Sequence, residues 1–170
     1  MAGGMMAAHS KDPGIPAGFH LSMALWDCVP VLFFSISAGI LAARFRSPLF
    51  CIGVVMVILA GAMKASWKFV LALRKRNLPF LNRQLRFLMP AGFALALLSL
   101  FVDRDLWSAA AVVRHMISFP SAVFFLAGAA GILTLVWFAR HLNQQDAGAN
   151  WKEQMVNGIT QLCILLGILF

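Results

Sequence analysis

Residues 48–73 read PLFCIGVVMVILAGAMKASWKFVLAL, and in those 26 positions only Lys64 and Lys68 carry charge. As an α-helix rising ~1.5 Å per residue, the stretch reaches about 39 Å. The hydrocarbon core of a bilayer is ~30 Å thick and takes about 20 apolar residues to cross. Pro48 suits a first helical turn, where its missing N–H is not needed. This segment is a transmembrane helix, and the same signature recurs on both sides of it.

Upstream, residues 19–43 form an apolar run that stops at Arg44-Phe45-Arg46; downstream, further runs cover 85–102, 116–139 and 153–170. Inside lipid every backbone N–H and C=O must find its partner within the segment, so the spans are helices. No alternating pattern of a barrel strand occurs. The expected fold is all-α, a polytopic integral membrane bundle of five transmembrane helices. Residues 1–18, rich in Gly, Ala and Pro, read as a flexible tail. Lys11 is the one cation ahead of the first apolar run, and it adjoins Asp12, so that run reads as an anchor and not as a cleaved signal. Residues 106–113 are apolar but too short to cross, and Trp107 places them at the interface.

Composition supports the same conclusion. Hydrophobic residues make up 61% of the 170 and charged residues 12%, against about 25% charged in soluble domains. A water-soluble domain this small cannot bury so much apolar surface. Cys28, Cys51 and Cys163 fall in apolar runs without CxxC spacing and read as small buried hydrophobes, not a disulfide framework or metal site.

Fourteen Lys and Arg against six Asp and Glu give a net charge of +8. No RNP-like pattern, zinc-finger spacing or basic helix with interleaved aromatics accompanies it, so no nucleic-acid partner is implied. Cations collect instead in cytoplasmic loops. Lys11, Arg74, Lys75, Arg76, Arg83, Arg86, Arg140 and Lys152 fall on one side, and Arg44, Arg46, Arg104 and Arg114 on the other. The richer side is expected in the cytoplasm, with the N-terminus, in a multi-pass protein of the cell membrane. Arg74, Lys75, Arg76, Arg83 and Arg86 are expected to touch anionic headgroups at about 1 kcal/mol per cation.

Polar groups inside spans point to function, since an Asp or Lys near a helix centre costs ~2.5–3.5 kcal/mol on insertion scales. Asp27 lies in the first span, Lys64 and Lys68 one turn apart in the second, and Glu153, Asn157 and Gln161 at spacing four in the last. Folding the first two helices about Phe45 brings Asp27 level with Lys64. The last helix rises from the same side, which brings Asn157 and Gln161 to similar depth. The expected cluster is Asp27, Lys64, Asn157 and Gln161. His20, Lys68 and Glu153 fall nearer the cytoplasmic mouth, and Trp26 and Trp67 wall the cluster. Small residues at spacing four (Ser35 with Gly39, Gly61 with Ala65, Ala127 with Gly131) mark packing faces.

Haem ligation by His20 and His141 is disfavoured, because both lie near helix ends and axial ligands must face each other across a core. No HExxH or HxxxH spacing marks a metal, and no cofactor is expected. Three function classes fit these residues. The first is a small transport or permeation protein, or a transporter subunit, with Asp27 as ligand-pairing acid and Lys64 as its counter-charge. The second is a membrane enzyme acting on a lipid or isoprenoid, with Asp27 or Glu153 as acid or base. The third is a structural or regulatory subunit, and homo- or hetero-oligomers suit all three.

Overall fold

A computed structural model describes residues 20–74, 78–142 and 146–170. The chain is helical, with no strand among the described residues: α1 Leu21–Phe45, α2 Pro48–Arg74, α3 Pro79–Arg83, α4 Leu85–Val102, α5 Ala109–Ile117, α6 Ser121–His141 and α7 Ala147–Leu169. Four of these, α1, α2, α4 and α6, are long and apolar enough to cross a membrane. The protein is therefore a multi-pass integral membrane protein. Residues 1–18, with Lys75 and Arg76 of the basic loop, lie outside the described residues.

Local chemistry sets the helix ends. Arg46 closes α1 in the left-handed region, at φ 53°, with its N–H on the Ala42 carbonyl. The Ser47 hydroxyl accepts the Phe50 N–H at 3.0 Å, capping α2. Pro120 separates α5 from α6, so residues 116 and 117 belong to the short helix and α6 begins five residues later than the expected fourth span. Asp146 caps α7 by accepting the Ala149 N–H at 2.8 Å, which starts that helix six residues before the expected 153. Its opening turns carry Asn150, Lys152, Glu153 and Gln154, and α7 is not among the four strongly apolar helices.

Side by side, the long helices stand in the order α4, α2, α1, α7, α6. Close approaches fix the seams. A Cβ added to Gly53 on α2 meets the Gly92 carbonyl oxygen and the Ala96 N of α4 at 2.6 Å. One added to Gly131 on α6 runs into Thr160 Oγ1 of α7. Gly61 faces Val31 across the α1–α2 seam at 3.3 Å. Gly39 has nothing within 4 Å, so the Ser35–Gly39 pair is not a packing face. The outer helices expose large apolar side chains, among them Phe101 at 77% and Leu133 at 70%. Surface this apolar is suited to lipid.

The stagger of α4 positions the site. Gln84, just before α4, donates from Nε2 to the Ala60 carbonyl at 3.4 Å, level with the middle of α2. Thus α4 runs along the first half of α2, and the short α3 that precedes it also packs against α2.

Candidate functional site

Along the first half of α4, a cavity of about 300 Å³ lies between α1, α2, α4 and α7. Asp27, Lys64, Asn157 and Gln161 all line it, together with Gln154. Helix geometry explains the convergence. Gln154, Asn157 and Gln161 are spaced three and four apart, on one face of α7. Trp26 lies about 4.0 Å from where a Gly158 Cβ would stand, so α1 and α7 touch at this depth.

The expected ion pair is corrected by one turn. Asp27 pairs with Lys68, whose ammonium donates to Oδ1 at 2.8 Å, and not with Lys64. Level Cα atoms are a poor guide for a long side chain, because helical side chains lean toward their own N-terminus. In this antiparallel pair the lean carries Lys68 along α2 to meet Asp27. Both partners are buried, at 4% and 2% exposure, so Lys68 sits in the core and not at a mouth. The pair ties α1 to α2.

Lys64, half-buried one turn away, has no ion-pair partner within 4.0 Å among the described residues. Asp27 is balanced by Lys68, so Lys64 is the charged lining residue without an ion-pair partner among the described residues, while the Glu153 carboxylate acts on Lys68 from outside the lining. Gln154 is 3% exposed, and its Oε1 is buried without a hydrogen-bond partner. A buried acceptor left without a donor costs about 1–3 kcal/mol.

Other expected residues fall elsewhere. Glu153 is half-buried on α7, outside the cavity lining, and His20 is exposed immediately before α1. Trp26 and Trp67 do not line the cavity. Its aromatic walls are Phe34 and Phe93, in edge contact with centroids 6.1 Å apart. Arg74, Arg83 and Arg86 are exposed. His141 is exposed at the end of α6, stacked on Trp137 and bonded through Nδ1 to the Trp137 carbonyl at 2.9 Å. His20 and His141 thus both stand at helix ends.

Sequence reasoning missed Gln154. Its signal was present, since a face at 154, 157 and 161 is as helical as one at 153, 157 and 161, but the charge of Glu153 drew the reading one residue aside. The aromatic walls gave no such signal, because each Phe is one apolar residue among many.

The cavity does not end at Phe34. A second one, of about 340 Å³ and almost wholly apolar, shares Phe34, Val57, Phe93 and Gln161 with it and runs on to Leu41 and Ile168. Leu97 of α4 and Ile132 of α6 both line it. A third, of about 580 Å³, shares Leu41, Ile164 and Ile168 with the second and reaches Arg44, Trp107 and His115. Adjoining cavities thus follow the bundle from Lys64 to Arg44.

No protein-family model matches the chain, and no curated protein or solved structure matches it.

Proposed function

We propose that the protein is a small transport or permeation protein, or a subunit of one, whose ligand site is the polar cavity lined by Lys64, Gln154, Asn157 and Gln161. The carrying observation is that Lys64 and the buried Gln154 oxygen, both without a partner among the described residues, line one cavity inside a membrane bundle. Groups so costly in lipid face a water-filled or ligand-filled space when they are not tied to each other. Asp27 has a different part in this reading from the ligand-pairing role expected of it. Bound to Lys68, it is an architectural acid that holds the wall on which Lys64 stands.

In the same proposal α7 is a fifth crossing. Its 23 residues reach about 34 Å, and it packs along both α1 and α6. Arg74, Arg140 and Lys152 then share the cytoplasmic end with the N-terminus, in the cell membrane, with anionic lipid against Arg74, Lys75, Arg76, Arg83 and Arg86. The transport reading is preferred to lipid chemistry because Asp27 is engaged by Lys68 and Glu153 lies off the cavity. A general acid or base must come within about 2.6–3.2 Å of its proton.

Water access decides the matter. With Cys28, Cys51 and Cys163 replaced by alanine, Asn157→Cys is treated in sealed vesicles with a membrane-impermeant thiol reagent. Labelling from the cytoplasmic side is the expected result. A cysteine unreactive from both sides means a sealed, packed interior, and the site reading falls.

A further inference from the structure

Resting on that reading of the cavity as a ligand site, we infer that its ligand is a single-chain lipid with an anionic, hydroxyl-bearing head. Three observations select this chemistry. Lys64 brings a positive charge that no described carboxylate within 4.0 Å neutralises, so the head is anionic. Gln154 Oε1 is a buried acceptor without a donor, so the head also carries a hydroxyl. The polar cavity opens at Phe34 and Phe93 into an apolar one, so the remainder of the ligand is hydrocarbon.

Shape narrows the class further. Along α1 the apolar groove runs from Phe34 to Leu41, which is about 10 Å. Volumes of about 300 Å³ and 340 Å³ lie in the range of ordinary small-ligand pockets, roughly 300–1,000 Å³ each. A small head and the first part of one chain fit such a space, and the rest of a longer chain passes out into the bilayer. Extensive packing joins α4 to α2 and α6 to α7, but not α4 to α6. Leu97 and Ile132 both line the groove and are both exposed, so the groove opens sideways between those two helices, and an acyl chain enters from the bilayer.

The test uses the full chain in a neutral detergent, with oleoyl lysophosphatidate as probe and binding read by native mass spectrometry. Monooleoylglycerol keeps the chain and hydroxyls without the anion, and glycerol phosphate keeps the head without the chain. Saturable binding of lysophosphatidate is expected, about tenfold or more tighter than either relative. Lys64→Gln weakens it about tenfold, whereas Lys64→Arg holds it within about threefold. Leu97→Trp, at an exposed groove position, weakens lysophosphatidate but not glycerol phosphate. Equal binding of monooleoylglycerol overturns the anionic head, equal binding of glycerol phosphate overturns the chain, and an unaffected Lys64→Gln overturns the site. Labelling of Asn157→Cys separates the two levels. A labelled cysteine with no lysophosphatidate binding removes the lipid and leaves the ligand site, whereas an unlabelled one removes both.

Discussion

From Pro48 to Ala60, α2 lies against α4 closely enough that Gly53 and Gly92 touch through their backbones. From Gly61 to Arg74 the same helix faces α1 across a buried ion pair and meets α7 across a cavity. The first half is held by shape and the second by charge. In lipid, where apolar contact gains nothing from expelling water, helices associate through close packing and a few polar bonds. Here the buried ion pair is confined to the second half of α2, and the polar cavity spans the junction of the two halves, from Val57 to Lys64.

The largest effect comes from splitting the pair. Lys68→Met alone, or Asp27→Leu alone, leaves a buried charge without its partner, and a loss of about 3–5 kcal/mol is expected. The double variant removes both charges and is expected to regain most of that stability. Unfolding in mixed detergent with increasing dodecyl sulfate gives all three values. If the double variant is as unstable as the sum of the singles, the two groups are not coupled and the charged half is held by something else.

Next in size is the steric half. Gly53→Leu or Gly92→Leu drives a side chain into backbone that cannot swing aside, and a loss of about 1–3 kcal/mol, toward the upper end, is expected. Gly39→Leu is the matched control, since nothing stands within 4 Å of its Cβ. It should stay within about 0.5 kcal/mol of the parent. Equal losses at Gly39 and Gly53 would show that helix propensity, and not the α2–α4 contact, dominates.

These contrasts also show what could be read from the chain. Helical character and membrane class were legible because hydropathy is a property of long segments and survives small errors of register. The membership of the cavity was partly legible, since depth from a shared membrane face is simple arithmetic, and Asp27, Lys64, Asn157 and Gln161 do share one cavity. The partner of Asp27 was not, because the choice between Lys64 and Lys68 rests on the lean of a side chain longer than the helical rise between them. The Gly53–Gly92 contact was equally hidden. Spacing rules compare residues within one helix, and this seam joins single glycines on two helices 39 positions apart.

A smaller effect is expected at the far end of the α2–α4 seam, away from the ion pair. Ser47 caps α2 through the Phe50 N–H and donates from its hydroxyl to the Asp103 carboxylate at the end of α4. Ser47→Ala removes both bonds, and the loss of such a cap costs about 1 kcal/mol. Asp103→Asn, which keeps an acceptor for the hydroxyl and leaves the cap intact, should cost less. A larger loss at Asp103 would place the weight of that end on the interhelical bond.

The smallest effect is the one that separates the two lysines. Lys64→Met removes a half-buried cation with no ion-pair partner among the described residues. Its ammonium contributes nothing to holding α1 against α2, and an unpaired charge within a span is itself unfavourable. Stability should therefore stay within about 0.5 kcal/mol or rise slightly, although the position is one turn from Lys68. The sign of this change carries the information. A loss comparable to that of Lys68→Met would make Lys64 a second structural tie and leave the cavity lining without a free charge.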